Sequence, residues 1–344
     1  MLAFQRSDRP WQLPFAAAIA SGMPVAAGAW LDLPSAGGLG AVAGLSFLYL
    51  PATGLHLRIP VIMACAFAMV SSYALGLISH VAAGAAIPVI ALVAAAALLF
   101  CRTQAVVPPG PIFMVMAAAI AAFSPEQASA AAQHLGYFVL GCIWACGVAV
   151  TYSVYILRHR KPSALQPPSQ AELDVALVDG LLTGIFVGGS LGVAALLGLE
   201  KAYWVPVSCL AVMQGVTLRA SWQRNVHRIV GTAIGMAVTW LLLPFLDNGW
   251  AVAAAVTVLT FLIETAVVRH YAFAAIFITP LTILLAESTS PGELSTIMLM
   301  QTRLMDTTVG ALIGLLGAFC LHNSQVRRVV ETGLAAVKPA DRGD

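Results

Sequence analysis

Arg303 and Asp306 stand three residues apart in an otherwise apolar stretch, MLMQTRLMDTTVGALIGLLGAFC. A charge near the middle of a bilayer costs about 2.5–3.5 kcal/mol on insertion scales, so such groups should face protein or water. At i, i+3 the two side chains share a helix face and can pair. Alternatively, the planar guanidinium fork of Arg303 can hold the carboxylate of a bound anion, with Asp306 competing for it. Glu264 lies just before Arg269 and reads either as the partner of a basic loop residue or as a proton carrier. Asp179 opens another apolar run. It reads as a carboxylate at a helix N-terminus or as a second proton-coupling group.

A spacing pattern adds Arg228 and His134 to this set. Pro34, Pro111, Pro206 and Pro280 precede Arg58, His134, Arg228 and Arg303 by 22–24 residues. Arg228-Ile-Val-Gly-Thr-Ala-Ile-Gly235 parallels Arg303-Leu-Met-Asp-Thr-Thr-Val-Gly310, and His134 is followed seven places on by Gly141. The pattern places a cation on each side of a membrane core, as an anion pathway needs. Snorkelling to headgroups is the competing account, and it suffices for Arg58. The expected substrate contacts are therefore Arg303, Asp306, Arg228 and His134, with Glu264 and Asp179 for proton coupling.

The elements that must carry these residues follow from composition. Of 344 residues, 60% are hydrophobic and 9% charged, and mean hydropathy is +0.90. A soluble domain carries roughly 25% charged residues. The bilayer must be the main solvent, and long apolar runs make α-helices the spanning element. A net charge of +2 gives no reason to expect a nucleic-acid partner.

The expected fold is all-α and polytopic, with about twelve transmembrane helices. They lie near 11–31, 36–50, 58–79, 81–101, 105–123, 131–156, 174–198, 203–218, 226–246, 249–268, 271–287 and 299–322. The first run is read as a retained helix rather than a cleavable signal. With the N-terminus inside, Lys and Arg fall on inner segments, apart from Lys201 outside and Arg303 within a helix. That bias predicts both termini in the cytoplasm.

Residues 157–172, LRHRKPSALQPPSQAE, form a basic, Pro-rich cytoplasmic linker. They divide a first six-helix repeat (1–156) from a second (173–323), with a short, disordered cytoplasmic tail at 324–344. Six helices per half make the repeats parallel, and the cation pattern nests inverted three-helix units inside each. Gly180, Gly184, Gly188 and Gly192 line one face of the seventh helix. They serve tight packing or a sliding interface.

Enzyme signatures are weak. No Walker A sequence and no H-E-x-x-H occurs. Gly188-Gly189-Ser190-Leu191-Gly192 matches G-x-S-x-G but falls inside a helix, away from any strand-to-helix elbow. The six cysteines are isolated, with Cys142 and Cys146 sharing a face beside no other ligand, and read as apolar packing. No enzyme activity, cofactor or metal is expected.

Tyr203-Trp204-Val205-Pro206, the stretch QRNVHRIVGTAIG (223–235) and the stretch RLMDTTVGALIG (303–314) resemble the fusaric acid resistance, or FUSC-like, membrane proteins, a group that includes aromatic acid exporters. The resemblance is clear over 174–322 and faint over 11–156, where Arg58 is kept but the Gly-Thr motif is not. The large soluble domain of many members is not in this sequence. The resemblance implies efflux of aromatic or other organic acids across a bacterial inner membrane, with a periplasmic adaptor as partner in some members. Related plant anion channels imply a pore between the two halves. An exporter, a passive anion channel and a non-transporting assembly subunit embedded in lipid are thus the readings to separate.

Overall fold

The computed structural model describes residues 8–106, 109–124, 128–163, 170–199, 202–289 and 296–337. Lys201, residues 164–169 of the expected linker and residues 338–344 of the expected tail lie outside them. Every regular element among the described residues is helical. In chain order these are α1 (Gln12–Trp30), α2 (Pro34–Gly44), α3 (Leu55–Ile78), α4 (Ala86–Thr103), α5 (Ile112–Ala122), α6 (Ala128–Leu157) and α7 (Gln170–Leu196). They continue as α8 (Trp204–Met213), α9 (Leu218–Leu242), α10 (Gly249–Ala266), α11 (Tyr271–Thr289), α12 (Thr296–His322) and α13 (Ser324–Val337).

Among the described residues, eight helices are long and apolar enough to cross a membrane, so the chain is a multi-pass membrane protein. α2, α5 and α8 have only 11, 11 and 10 residues. At 1.5 Å per residue each covers about half of a 30 Å hydrocarbon core. Their sequences explain where they sit. α8 is apolar on every side, and all its residues from Trp204 to Met213 are buried. Gly37–Gly44 of α2 are buried too. A helix without a polar face belongs in the interior. The long helices surround these short ones and turn residues such as Phe67, Ile143, Ile185, Trp240 and Leu316 outward, as a lipid-facing surface requires.

Helix pairing follows a regular scheme. The short helices α2, α5 and α8 pack on α6, α3 and α12, and α11 packs on α9. α1 packs on α10 and α4 on α7, while α2 meets α11 and α5 meets α8. Small residues make these approaches possible, because lipid gives little hydrophobic drive for helix association. A Cβ at Gly141 of α6 would fall 2.7 Å from Gly40 and Ala43 of α2, and one at Gly235 of α9 would fall 2.5 Å from the Ile276 carbonyl oxygen of α11. Gly310 and Gly314 of α12 press on Val205 and Cys209 of α8. Gly184 and Gly188 of α7 lie against Ala91 and Ile87 of α4, and Gly22 of α1 lies against Thr257 of α10.

The structure corrects several expectations. α7 begins at Gln170, inside the expected linker. Asp179 is therefore in the third turn of its helix and not at the N-terminus. The expected tail carries a helix, α13. Arg58 does not snorkel: it is buried, and its Nε donates to the Thr53 carbonyl oxygen at 2.7 Å. Ser190 is fully buried, and its hydroxyl donates to the Val187 carbonyl oxygen within α7 at 2.7 Å.

Candidate functional site

A cavity of about 1490 Å³ runs through the helix bundle. Arg303, His134, Tyr203 and Trp204 line it near the N-terminal ends of α12, α6 and α8, and Arg228 and Tyr271 line it from α9 and α11. Arg9, Glu264, Arg102, Asp179 and Arg327 line it as well. Arg303 and His322, both on its wall, stand 19 positions apart on α12. The cavity thus extends over roughly the thickness of a bilayer core.

Arg303 lies in the second turn of α12 and is only 2% exposed. Its guanidinium carbon sits 4.0 Å from the centroid of the Trp204 ring, a geometry in which the ring face attracts the cation. Its Nε and Nη1 are buried without a hydrogen-bond partner. The ion pair with Asp306, one of the two readings, is not made among the described residues. Asp306 is fully buried and does not reach the cavity wall. Among the four residues expected to contact substrate, it alone stands behind that wall.

Arg228 is held more firmly. Its Nη2 donates to Ser208 Oγ at 3.0 Å and its Nη1 to Tyr271 Oη at 3.4 Å, while Nε has no partner. His134 reaches the cavity from the second turn of α6 with its Nδ1 buried and unpartnered. The structure therefore brings Arg303, Arg228 and His134 to one cavity.

The two carboxylates assigned to proton coupling both line the cavity, and both are held in ion pairs. Glu264, in the last turn of α10, pairs with Arg9 at 2.8 Å, and Arg9 Nη1 also donates to the Glu264 carbonyl oxygen at 3.1 Å. Its sequence neighbour Arg269 instead donates to the Thr265 carbonyl oxygen. Asp179 pairs with Arg327 at 2.9 Å and Arg102 at 3.5 Å. The Arg9–Glu264 pair ties the start of α1 to α10, and the Arg102–Asp179 pair ties α4 to α7. These are the two helix pairs that also pack through Gly22 and through Gly184 and Gly188. Sequence reasoning used Arg9, Arg102 and Arg327 only to set the orientation, and assigned no role to Ser208 or Tyr271. Trp204 entered it only as part of a motif, yet the ring is the surface on which Arg303 rests.

Comparison with known proteins agrees with the motifs. Residues 188–317 match the family model described as fusaric acid resistance protein-like. An uncharacterized membrane protein, YvaC, of Bacillus subtilis (strain 168) is 34% identical over 145 residues, which cover 42% of this chain and 23% of that protein. The match thus spans under a quarter of the relative's length. No solved structure matches. Residues 188–317 of this multi-pass membrane protein, which include Arg228, Arg303 and Trp204, are thus similar to the fusaric acid resistance protein-like family.

Proposed function

We propose that the protein is an exporter of organic anions, aromatic carboxylates among them, across a bacterial inner membrane. The observation that carries this reading is Arg303: a buried guanidinium on the cavity wall, stacked on Trp204, with two nitrogens lacking a partner. A carboxylate in the cavity would pair with this cation, and an aromatic ring beside it would find Tyr203 and Trp204 on the same wall. The path runs between two parallel six-helix repeats. The helix pairing supports them, since advancing every partner by six turns α2–α6 into α8–α12 and α3–α5 into α9–α11. With both termini cytoplasmic, as the Lys and Arg distribution favours, an anion leaves a negative interior downhill. The gain is about 2.3 kcal/mol per charge for each 100 mV. Membrane potential is the main driving force, and a pH gradient adds a smaller term through Glu264 and Asp179.

Proteoliposomes with a potassium diffusion potential, equal pH on both sides and a panel of aromatic carboxylates test this. Saturable, voltage-driven efflux is expected. Flux that appears only with a pH gradient would make a carboxylate the obligatory coupling site. Single-channel conductance would make the cavity a passive pore, and no flux of any kind would leave a structural subunit.

A further inference from the structure

Three arginines of the cavity wall are anchored along one face of α8. Arg303 rests on the Trp204 ring, Arg228 donates to Ser208 Oγ, and Arg224 Nη1 donates to the Ala211 carbonyl oxygen at 3.4 Å. Positions 204, 208 and 211 recur at helical spacing, so the anchors form one stripe. Its two ends are seven residues apart, which is about 10 Å at 1.5 Å per residue. The end members also share a device. Arg303 lies over the Trp204 ring at 4.0 Å from its centroid, and Arg224 lies over the Tyr271 ring at 5.7 Å. Arg228, anchored between them, is bonded through both Nη atoms, to Ser208 and to the Tyr271 hydroxyl.

No carboxylate offsets Arg224. It stands at i, i+4 from Arg228, where like charges repel, and α9 contains no Asp or Glu. It makes no ion pair among the described residues, and the carboxylates on the cavity wall, Glu264 and Asp179, are held by Arg9, Arg102 and Arg327. Nor does Arg224 snorkel to headgroups, since it bonds to backbone within the bundle and lines the cavity. Its side chain is only partly buried, so a ligand in the cavity can reach it.

We propose that Arg224 and Tyr271 form a second carboxylate station, in series with Arg303 and Trp204, and that the cavity holds two aromatic carboxylates at once. The proposal rests on the reading of the cavity as an anion site and adds a place to it. A single-ring carboxylate is too short to touch both ends of the stripe, and a cavity of about 1490 Å³ has room for two. Equilibrium dialysis of radiolabelled benzoate against the full chain in nanodiscs, carried to saturation with empty nanodiscs as the blank, counts the sites. Two molecules per wild-type chain are expected, and one each in Arg224→Gln and Arg303→Gln. Arg224→Lys should keep the count at two. If Arg224→Gln fails to fold, Tyr271→Leu removes the ring and keeps the guanidinium, and one of the two sites should weaken several-fold; two sites of wild-type affinity in that variant would overturn the assignment. One molecule per wild-type chain overturns the second station and leaves the anion site standing. Two molecules in folded Arg224→Gln remove Arg224 as the second site. No binding at all removes the anion site itself.

Discussion

The four cations of the repeated spacing divide two against two. Arg58 of α3 and Arg228 of α9 are tied to the protein: Arg58 donates to the Thr53 carbonyl oxygen and to Ser153 Oγ, and Arg228 to Ser208 and Tyr271. Arg228 leaves only Nε without a partner, whereas Arg303 of α12 leaves both Nε and Nη1, and His134 of α6 leaves Nδ1; all three line the cavity. The positions correspond in sequence but differ in what surrounds them. A hydrogen bond to a charged group contributes about 1.5–3 kcal/mol, and a buried donor left unmade costs about 1–3 kcal/mol. The first pair therefore supports the fold, and the second pair carries an unmet demand that a ligand can fill. A protein keeps such a demand where it is used.

The largest expected effect contrasts the extremes. Arg303→Ala should lower anion flux about 100-fold, the loss of roughly 3 kcal/mol of charge-assisted bonding, and the protein should still insert and fold. Arg303→Lys should also be impaired, since an ammonium lacks the two-pronged fork. Arg58→Ala should do the reverse, lowering the melting temperature while flux per folded molecule stays near wild type. Transport assays paired with thermal unfolding in detergent check both. If Arg303→Ala transports normally, the unmet donors serve packing, and the contrast between the pairs disappears.

Much of this arrangement was legible in the sequence. Hydropathy placed a helix near each of α1 to α12, though only eight of the described helices are long and apolar enough to cross a membrane, and the glycine seven residues after His134, Arg228 and Arg303 is in each case a contact with the helix packed alongside: α2, α11 and α8. Those contacts are local consequences of small residues at fixed spacing. The ion pairs were not legible. Arg9 and Glu264 lie 255 positions apart, and only the packing of α1 on α10 brings them together. The start of α7 was missed because a helix projecting beyond the membrane is polar and leaves no hydropathy signal. α13 was missed for a similar reason. Val326, Val329, Val330 and Leu334 recur at helical spacing, but the charged residues between them hid that periodicity.

An intermediate effect comes from untying Arg228. Ser208→Ala removes the 3.0 Å bond to Nη2 and leaves the longer one to Tyr271. The Cβ that packs beside Gly310 is retained. Stability should fall by about 1.5–3 kcal/mol. Anion affinity should hold or rise a few-fold, because a freed guanidinium comes to resemble Arg303. Calorimetric binding and thermal unfolding on the same preparation give both quantities. A tenfold loss of affinity would instead make Ser208 and Arg228 a single binding unit and shrink the difference between the tied and untied cations.

The smallest effect should come from His134, the untied group of the first half. Its imidazole faces the cavity from α6, and Nδ1 meets no acceptor or donor from the protein. At neutral pH the ring offers a ligand one neutral hydrogen bond, worth about 0.5–1.5 kcal/mol where an Arg fork offers two charged ones. His134→Ala should therefore raise the half-saturating anion concentration about threefold, leave the maximal rate unchanged and leave the melting temperature within a degree or so of wild type. The thermal result matters most. A ring that supports the fold, as Arg58 does, would lower the melting temperature on removal, and the division between tied and untied cations would then hold only in the second half. A ring that waits on a ligand would shift the saturation curve alone. Titrating transport against anion concentration for wild type and His134→Ala, with unfolding measured in parallel, separates the two.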